Sequence, residues 1–199
     1  LEDDYFFFFF INSQFITAIA SSANLITPGF EVAQGKIGLL LQSERLIILK
    51  DWFLRWKSSD EINDLLMTPG LEFEGVWRND PVFSRQAILE QLSVFDVQTW
   101  YSLASFISRV KTEFPDFMRP AGDFNSWSIR QAGKREYLTG REHWDDVEGA
   151  YLRYLFAGPL HWFGIVDLAY GSANATPIAF RISPIASYLL TSESSAPVL

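Results

Sequence analysis

The 199-residue sequence predicts a mainly helical α+β protein, and three observations carry that expectation. Apolar residues recur at three- and four-residue spacing in several separate stretches, the period of an amphipathic helix. Strict alternation of apolar and other residues is confined to two short runs late in the chain, 165–170 and 178–182, as half-buried strands require. Hydrophobic residues make up 48% of the chain, with 18 Phe and 7 Trp, so a large core can offset chain entropy and most of the length must fold.

Residues 5–30 carry no charged side chain before Glu31, and Phe6–Ile11 is wholly apolar. Polar Asn12, Ser13, Gln14, Thr17, Ser21, Ser22 and Asn24 interrupt this run well short of the ~18 residues that a membrane-spanning helix needs. Glu2, Asp3 and Asp4 stand where a secretory signal would be basic. A buried strand followed by a short helix is therefore expected, with no membrane partner. Between Ser43 and Lys57, Leu46, Leu49, Phe53 and Trp56 mark a helix, with Ser43 as its expected cap and Asp51 and Arg55 as a surface pair at four-residue spacing. Thr68-Pro69-Gly70 then breaks the chain, and Asn79-Asp80-Pro81 puts a capping acid before a proline suited to a first helical turn. These signals divide the chain into an N-terminal helical and strand region at 1–79, a second domain at 80–192 and a tail at 193–199.

In the second domain, Ile88, Leu92 and Phe95 share one face of a helix from about Val82. Trp100 and Tyr101 form a very short extended segment. Ser102 caps a second helix whose apolar positions are Leu103, Phe106, Ile107, Val110 and Phe114, stopped by Pro115. Residues 116–140 read as a loop that nevertheless holds Phe117, Phe124 and Trp127. A third helix carries Trp144, Val147, Tyr151, Tyr154 and Leu155 on one face and ends at Gly158-Pro159. Two strands joined by Gly171–Pro177 follow, then a short helix from Ser183-Pro184 to Leu190. Helix, short strand, helix, helix, two-stranded wing, helix is the winged-helix order, a variant of the helix-turn-helix, here with an insert between the second and third helices.

With no Cys, the chain has no disulfide framework, thiolate nucleophile or Cys-rich zinc site, and its composition is of the cytoplasmic kind. A net charge of -8 argues against coating nucleic acid by bulk charge. No Gly-rich loop ending in Lys-Ser or Lys-Thr is present, so neither nucleotide nor any other cofactor is expected. The start at Leu1 and the Ser194-Ser195-Ala196-Pro197 tail fit a piece of a longer protein as well as a whole one.

Gly75-Val76-Trp77-Arg78-Asn79-Asp80-Pro81, Arg119-Pro120-Ala121-Gly122-Asp123 with Ser126-Trp127, the run Gly158–Leu168, and Phe180-Arg181-Ile182-Ser183-Pro184 together resemble bacterial helicase-associated winged-helix proteins. The resemblance covers roughly residues 43–190. It implies a winged-helix fold and a link to DNA transactions through a helicase-like partner or parent chain. Its motifs are turn and packing signatures rather than catalytic ones.

Winged-helix readers of DNA place cations on the third helix and the wing. This third helix carries Glu142, Asp145, Asp146 and Glu148 against Arg153, and the wing Gly171–Thr176 has no cation. Such a face repels phosphates and suits a protein partner, for which Trp162, Phe163, Asp145 and Glu148 are the candidate surface. A non-catalytic interaction module is the leading expectation. The alternative is direct DNA or RNA binding through the insert 117–141, where Arg130, Lys134, Arg135 and Arg141 alternate with Trp127 and Tyr137 as single-strand binders require. The competing account of that insert is a loop whose aromatics cap the core. A third reading, a hydrolase, would use His143 or His161. The His143 cluster with Glu142, Asp146 and Glu148 lacks zinc-ligand spacing, so no metal is expected, and no nucleophile is assigned. His161 is expected at a helix-to-strand corner, bonded to backbone. Trp52, Trp56, Trp100 and Trp144 are expected in the core.

Overall fold

The computed structural model describes residues 13–27, 29, 31–119, 122–172 and 176–190. The protein is α+β, and it divides into two compact units. One comprises the described residues up to Ile62 and those from Ser187 onward; the other is Asn63–Ala186. Among the described residues no helix is long and apolar enough to cross a membrane.

The first unit contains helix α1 (13–22), α2 (Gln34–Gln42) and α3 (Arg45–Ser58). On α3 the Phe53 and Trp56 side chains are fully buried with ring centres 5.8 Å apart. Arg55 makes the expected pair with Asp51 at 2.8 Å and also donates to the Ser22 carbonyl at the end of α1. Ser43 does not cap α3: its N–H bonds to the Leu40 carbonyl and closes α2, while Glu44 takes the N-cap position. Two helices abut with so short a connection that one residue must end the first before the next begins. The strand expected within 6–11 and the tail 193–199 lie outside the described residues.

The second unit runs β1 (Leu71–Glu74), α4 (Pro81–Leu92), β2 (Tyr101–Ser102), α5 (Leu103–Glu113), β3 (Ser128–Gln131), a 3-10 turn (Arg141–His143), α6 (Trp144–Ala157), α7 (Pro159–Trp162), β4 (Val166–Tyr170) and β5 (Pro177–Ile182), and α8 (Pro184–Leu190) follows. The two expected caps are present. The Asp80 carboxylate accepts the Phe83 N–H at 2.8 Å with Pro81 in the first turn, and the Ser102 hydroxyl accepts the Ser105 N–H. Each satisfies a backbone donor that the helix itself cannot.

β2, β5 and β4 form a three-stranded antiparallel sheet in that order, with Tyr101 opposite Phe180 and Phe180 opposite Leu168. The fully buried Phe180 ring is the centre of the core: it meets Phe95 at 5.5 Å, Phe106 of α5 at 5.6 Å and Phe156 of α6 at 4.8 Å, all edge-on. Edge-to-face contacts of this kind add to area burial. The sheet therefore holds α5 and α6 to one another from below.

Two features of the second unit also differ from expectation. Ser128–Gln131 is not loop but a strand, paired antiparallel with Leu71–Glu74. That pairing draws β1 into the second unit, which begins at Asn63, whereas turn chemistry at 79–81 pointed to a division there. Trp100 is 46% exposed rather than core, its ring 5.0 Å from the Arg181 guanidinium. Indole and guanidinium shield each other's faces from water without burial of either.

Candidate functional site

The third helix of the second unit, α6, carries acidic residues that the sequence placed on a recognition face. Here it is enclosed. Trp144, Val147, Glu148, Tyr151, Leu152, Tyr154, Leu155 and Phe156 are all buried, so only a strip with Asp145, Asp146 and Arg153 faces water. Three sets of contacts cover it. From α5, Phe106 packs on Phe156, and Lys111 reaches Asp145 at 2.5 Å. From the connection after α5, Phe117 lies against Trp144 and Tyr151, and the Trp144 indole N–H donates to the Pro115 carbonyl. From the segment before β1, Met67 receives the Tyr154 hydroxyl.

Two ion pairs stand inside this enclosure. Arg119 of the insert bonds Glu148 in the middle of α6, and Arg85 of α4 bonds Asp64 at 2.5 Å, all four side chains essentially without solvent access. Among the described residues, Glu148 Oε2 and the Tyr151 hydroxyl meet no hydrogen-bond partner. Burial holds the Glu148 carboxyl above the ordinary glutamate range, against the opposing pull of Arg119. The same desolvation drives the Tyr151 phenol well up, with the Asp64 charge adding to it, and pushes Tyr154 up as well. Ionisable groups kept out of water in this way are structural unless a path leads to them.

The candidate residues of the insert separate. Trp127 is buried, stacked on Trp77 at 5.0 Å with the Arg119 guanidinium 4.3 Å from its ring, so it offers no face to a base. Arg130 is committed to Glu72, directly opposite it across the β1–β3 pair, at 2.8 Å and to Glu74, on the same strand as Glu72, at 2.7 Å. Its hydrogen bond to Glu72 lowers that carboxyl's pKa. Tyr137 donates its hydroxyl to Glu74, which raises the phenol's pKa. Lys134, Arg135 and Arg141 are exposed. The aromatic half of the single-strand reading is thus spent on the core and the sheet.

The partner-surface candidates also separate. Phe163 is 3% exposed and Glu148 is fully buried, so neither can be a surface; Trp162 is half-buried, and Asp145 remains in solvent. Phe163 belongs to the turn that brings α7 back onto the core, with its N–H bonded to Pro159. His143 Nδ1 lies 3.0 Å from the Asp146 carboxylate, and His161 Nδ1 lies 3.1 Å from the Val166 carbonyl at the expected helix-to-strand corner. Among the described residues no three His, Cys, Asp or Glu side chains are grouped to hold a metal ion.

One open feature was not foreseen. A groove of about 740 Å³ runs between α4 and the end of α5, continuing over residues 116–119. Buried Ile88, Val110, Phe117 and Met118 make its floor; exposed Phe83 and Phe114 flank it; Asp80, Glu90 and Asp116 stand on its rim against Arg78. In sequence its signal is weak, since Phe83 is a single apolar residue off the core face of α4. Comparison with protein-family models, with curated proteins and with solved structures finds no match to this chain.

Proposed function

We propose that Asn63–Ala186 is a winged-helix unit that acts by holding a protein partner, not by catalysis and not by reading duplex DNA with its third helix. Support for the winged-helix reading comes from the order β2-β5-β4, with the two-residue strand β2 between α4 and α5 and the hairpin β4–β5 after α6. The observation that carries the functional reading is the Arg119–Glu148 pair: the insert lies over α6 and is locked to it by a buried charge contact. Four acidic residues of 142–148 add to the barrier, because the exposed ones repel phosphates and the buried one cannot leave. The resemblance in 43–190 names a helicase-like protein, or another part of a longer chain, as the kind of partner.

Fluorescence anisotropy of labelled single-stranded and duplex DNA, titrated from about 50 mM salt upward, tests this directly, since sequence-independent binding is strongest at low salt. No saturable binding is expected, together with slow amide hydrogen exchange along α6. Saturable duplex binding that steepens at low salt, with fast exchange in α6, would refute the reading.

A further inference from the structure

We infer that the groove between α4 and the end of α5 is a docking site for a basic, amphipathic segment of a partner protein; this rests on the interaction-module reading above and assigns the place and the chemistry of the contact. α4 exposes Phe83 at 55% although it follows directly on the N-cap turn, and across the groove Phe114 is 39% exposed. Two large rings left in water over a buried apolar floor lose free energy that only an occupant recovers. A volume of about 740 Å³ is large enough for several side chains. The groove borders α4 from Asp80 to Gln91, a rise of roughly 16 Å, or about three helical turns.

Charge selects the occupant. Asp80, Glu90 and Asp116 carry three negative charges at the rim. Of the two arginines beside the groove, Arg119 is neutralised by Glu148 and turned onto the Trp127 face, so Arg78 alone opposes them. A segment with leucine-like side chains every third and fourth residue and lysine or arginine between them matches both the floor and the rim. An acidic segment meets three like charges and is rejected.

The experiment measures binding of a labelled amphipathic peptide of about 14 residues, leucines on one face and lysines on the other, to the full chain. Two controls replace every lysine by glutamate or every leucine by serine. The leucine–lysine peptide is expected to bind at least about tenfold more tightly than either control, and Phe83→Asp to weaken it at least about tenfold. Glu90→Lys, at an exposed helix position, is expected to weaken the lysine peptide and strengthen the glutamate one; it decides the matter if Phe83→Asp unfolds, which circular dichroism reports. Equal binding of the two leucine peptides, binding indifferent to both variants, or no binding overturns the proposal. So does a dimer in sedimentation that Phe83→Asp dissociates, which would give the groove to a second copy. Absence of peptide binding with DNA also unbound removes the groove and leaves the interaction-module reading standing; tight duplex binding removes that reading whatever the peptide does.

Discussion

Arg119 and Glu148 meet where neither has access to water, one from the connection after α5 and the other from the middle of α6. Both charges have given up hydration, and the guanidinium recovers part of that loss against the faces of Trp127 and Phe124. Removing one partner leaves the other charge buried alone. Arg119→Met and Glu148→Met should each cost about 3–5 kcal/mol in denaturant unfolding, and the double substitution less than either. A double variant as unstable as the sum of the singles would mean that the two side chains act independently.

The same pair sets a pH dependence with a definite sign. Burial raises the Glu148 carboxyl above its unfolded value near 4.5. A carboxyl raised in the folded state contributes its full stabilisation below the unfolded value and loses it as pH rises through the folded one. Glu148→Gln has no proton to lose there. The wild-type chain should therefore lose stability relative to Glu148→Gln as pH is raised from about 4.5 toward neutrality, measured as the difference between paired urea melts. A difference that moves the other way would show the Arg119 charge outweighing desolvation.

Within the insert, Trp127 and the cations at the β3 turn should behave as different materials. Trp127→Ala empties a buried site between Trp77 and Arg119 and should cost about 3–5 kcal/mol. Lys134→Ser with Arg135→Ser changes only exposed side chains and should stay within about 0.5 kcal/mol of wild type. Thermal melts of the two variants side by side check the assignment; a mild Trp127→Ala and a damaging Lys134/Arg135 pair would reverse it.

Local signals read the fold well where a helix or hairpin is specified by its own residues. Asp80-Pro81 and Ser102 name the starts of α4 and α5, the alternation at 165–170 and 178–182 names the β4–β5 pair, and both caps are made by the atoms their chemistry requires. What stayed hidden depends on distance along the chain. β3 is four residues long and its partner β1 lies 54 to 60 positions away, so the cross-strand contacts that stabilise it leave no periodic trace. Glu148 could have been read: it falls on the helix face of Trp144, Tyr151 and Leu155, and a carboxylate on an apolar stripe demands a buried cation. Which cation answers, Arg119 and not Arg130, is decided by tertiary approach. The groove rested on one misplaced Phe, too little to separate a docking face from an ordinary exposed ring.

The end of α6 supplies a last expectation, because the chain there turns into α7 and then β4 within a few residues. Gly158 donates its N–H to the Tyr154 carbonyl at 2.8 Å, and a Cβ at this position would come within 2.7 Å of that same oxygen and 3.3 Å of the Trp162 ring. A backbone oxygen cannot swing aside as a side chain can without opening the last turn of the helix. Gly158→Ala should therefore cost about 1–3 kcal/mol. At Gly171, after β4, an added methyl meets, among the described residues, Ile178 at 3.8 Å, an ordinary contact, and Gly171→Ala should leave the melting temperature almost unmoved. The comparison isolates the corner: if both substitutions are silent, α6 tolerates a frayed end, and the close path from α6 through α7 to the sheet does not depend on the absence of a side chain at Gly158.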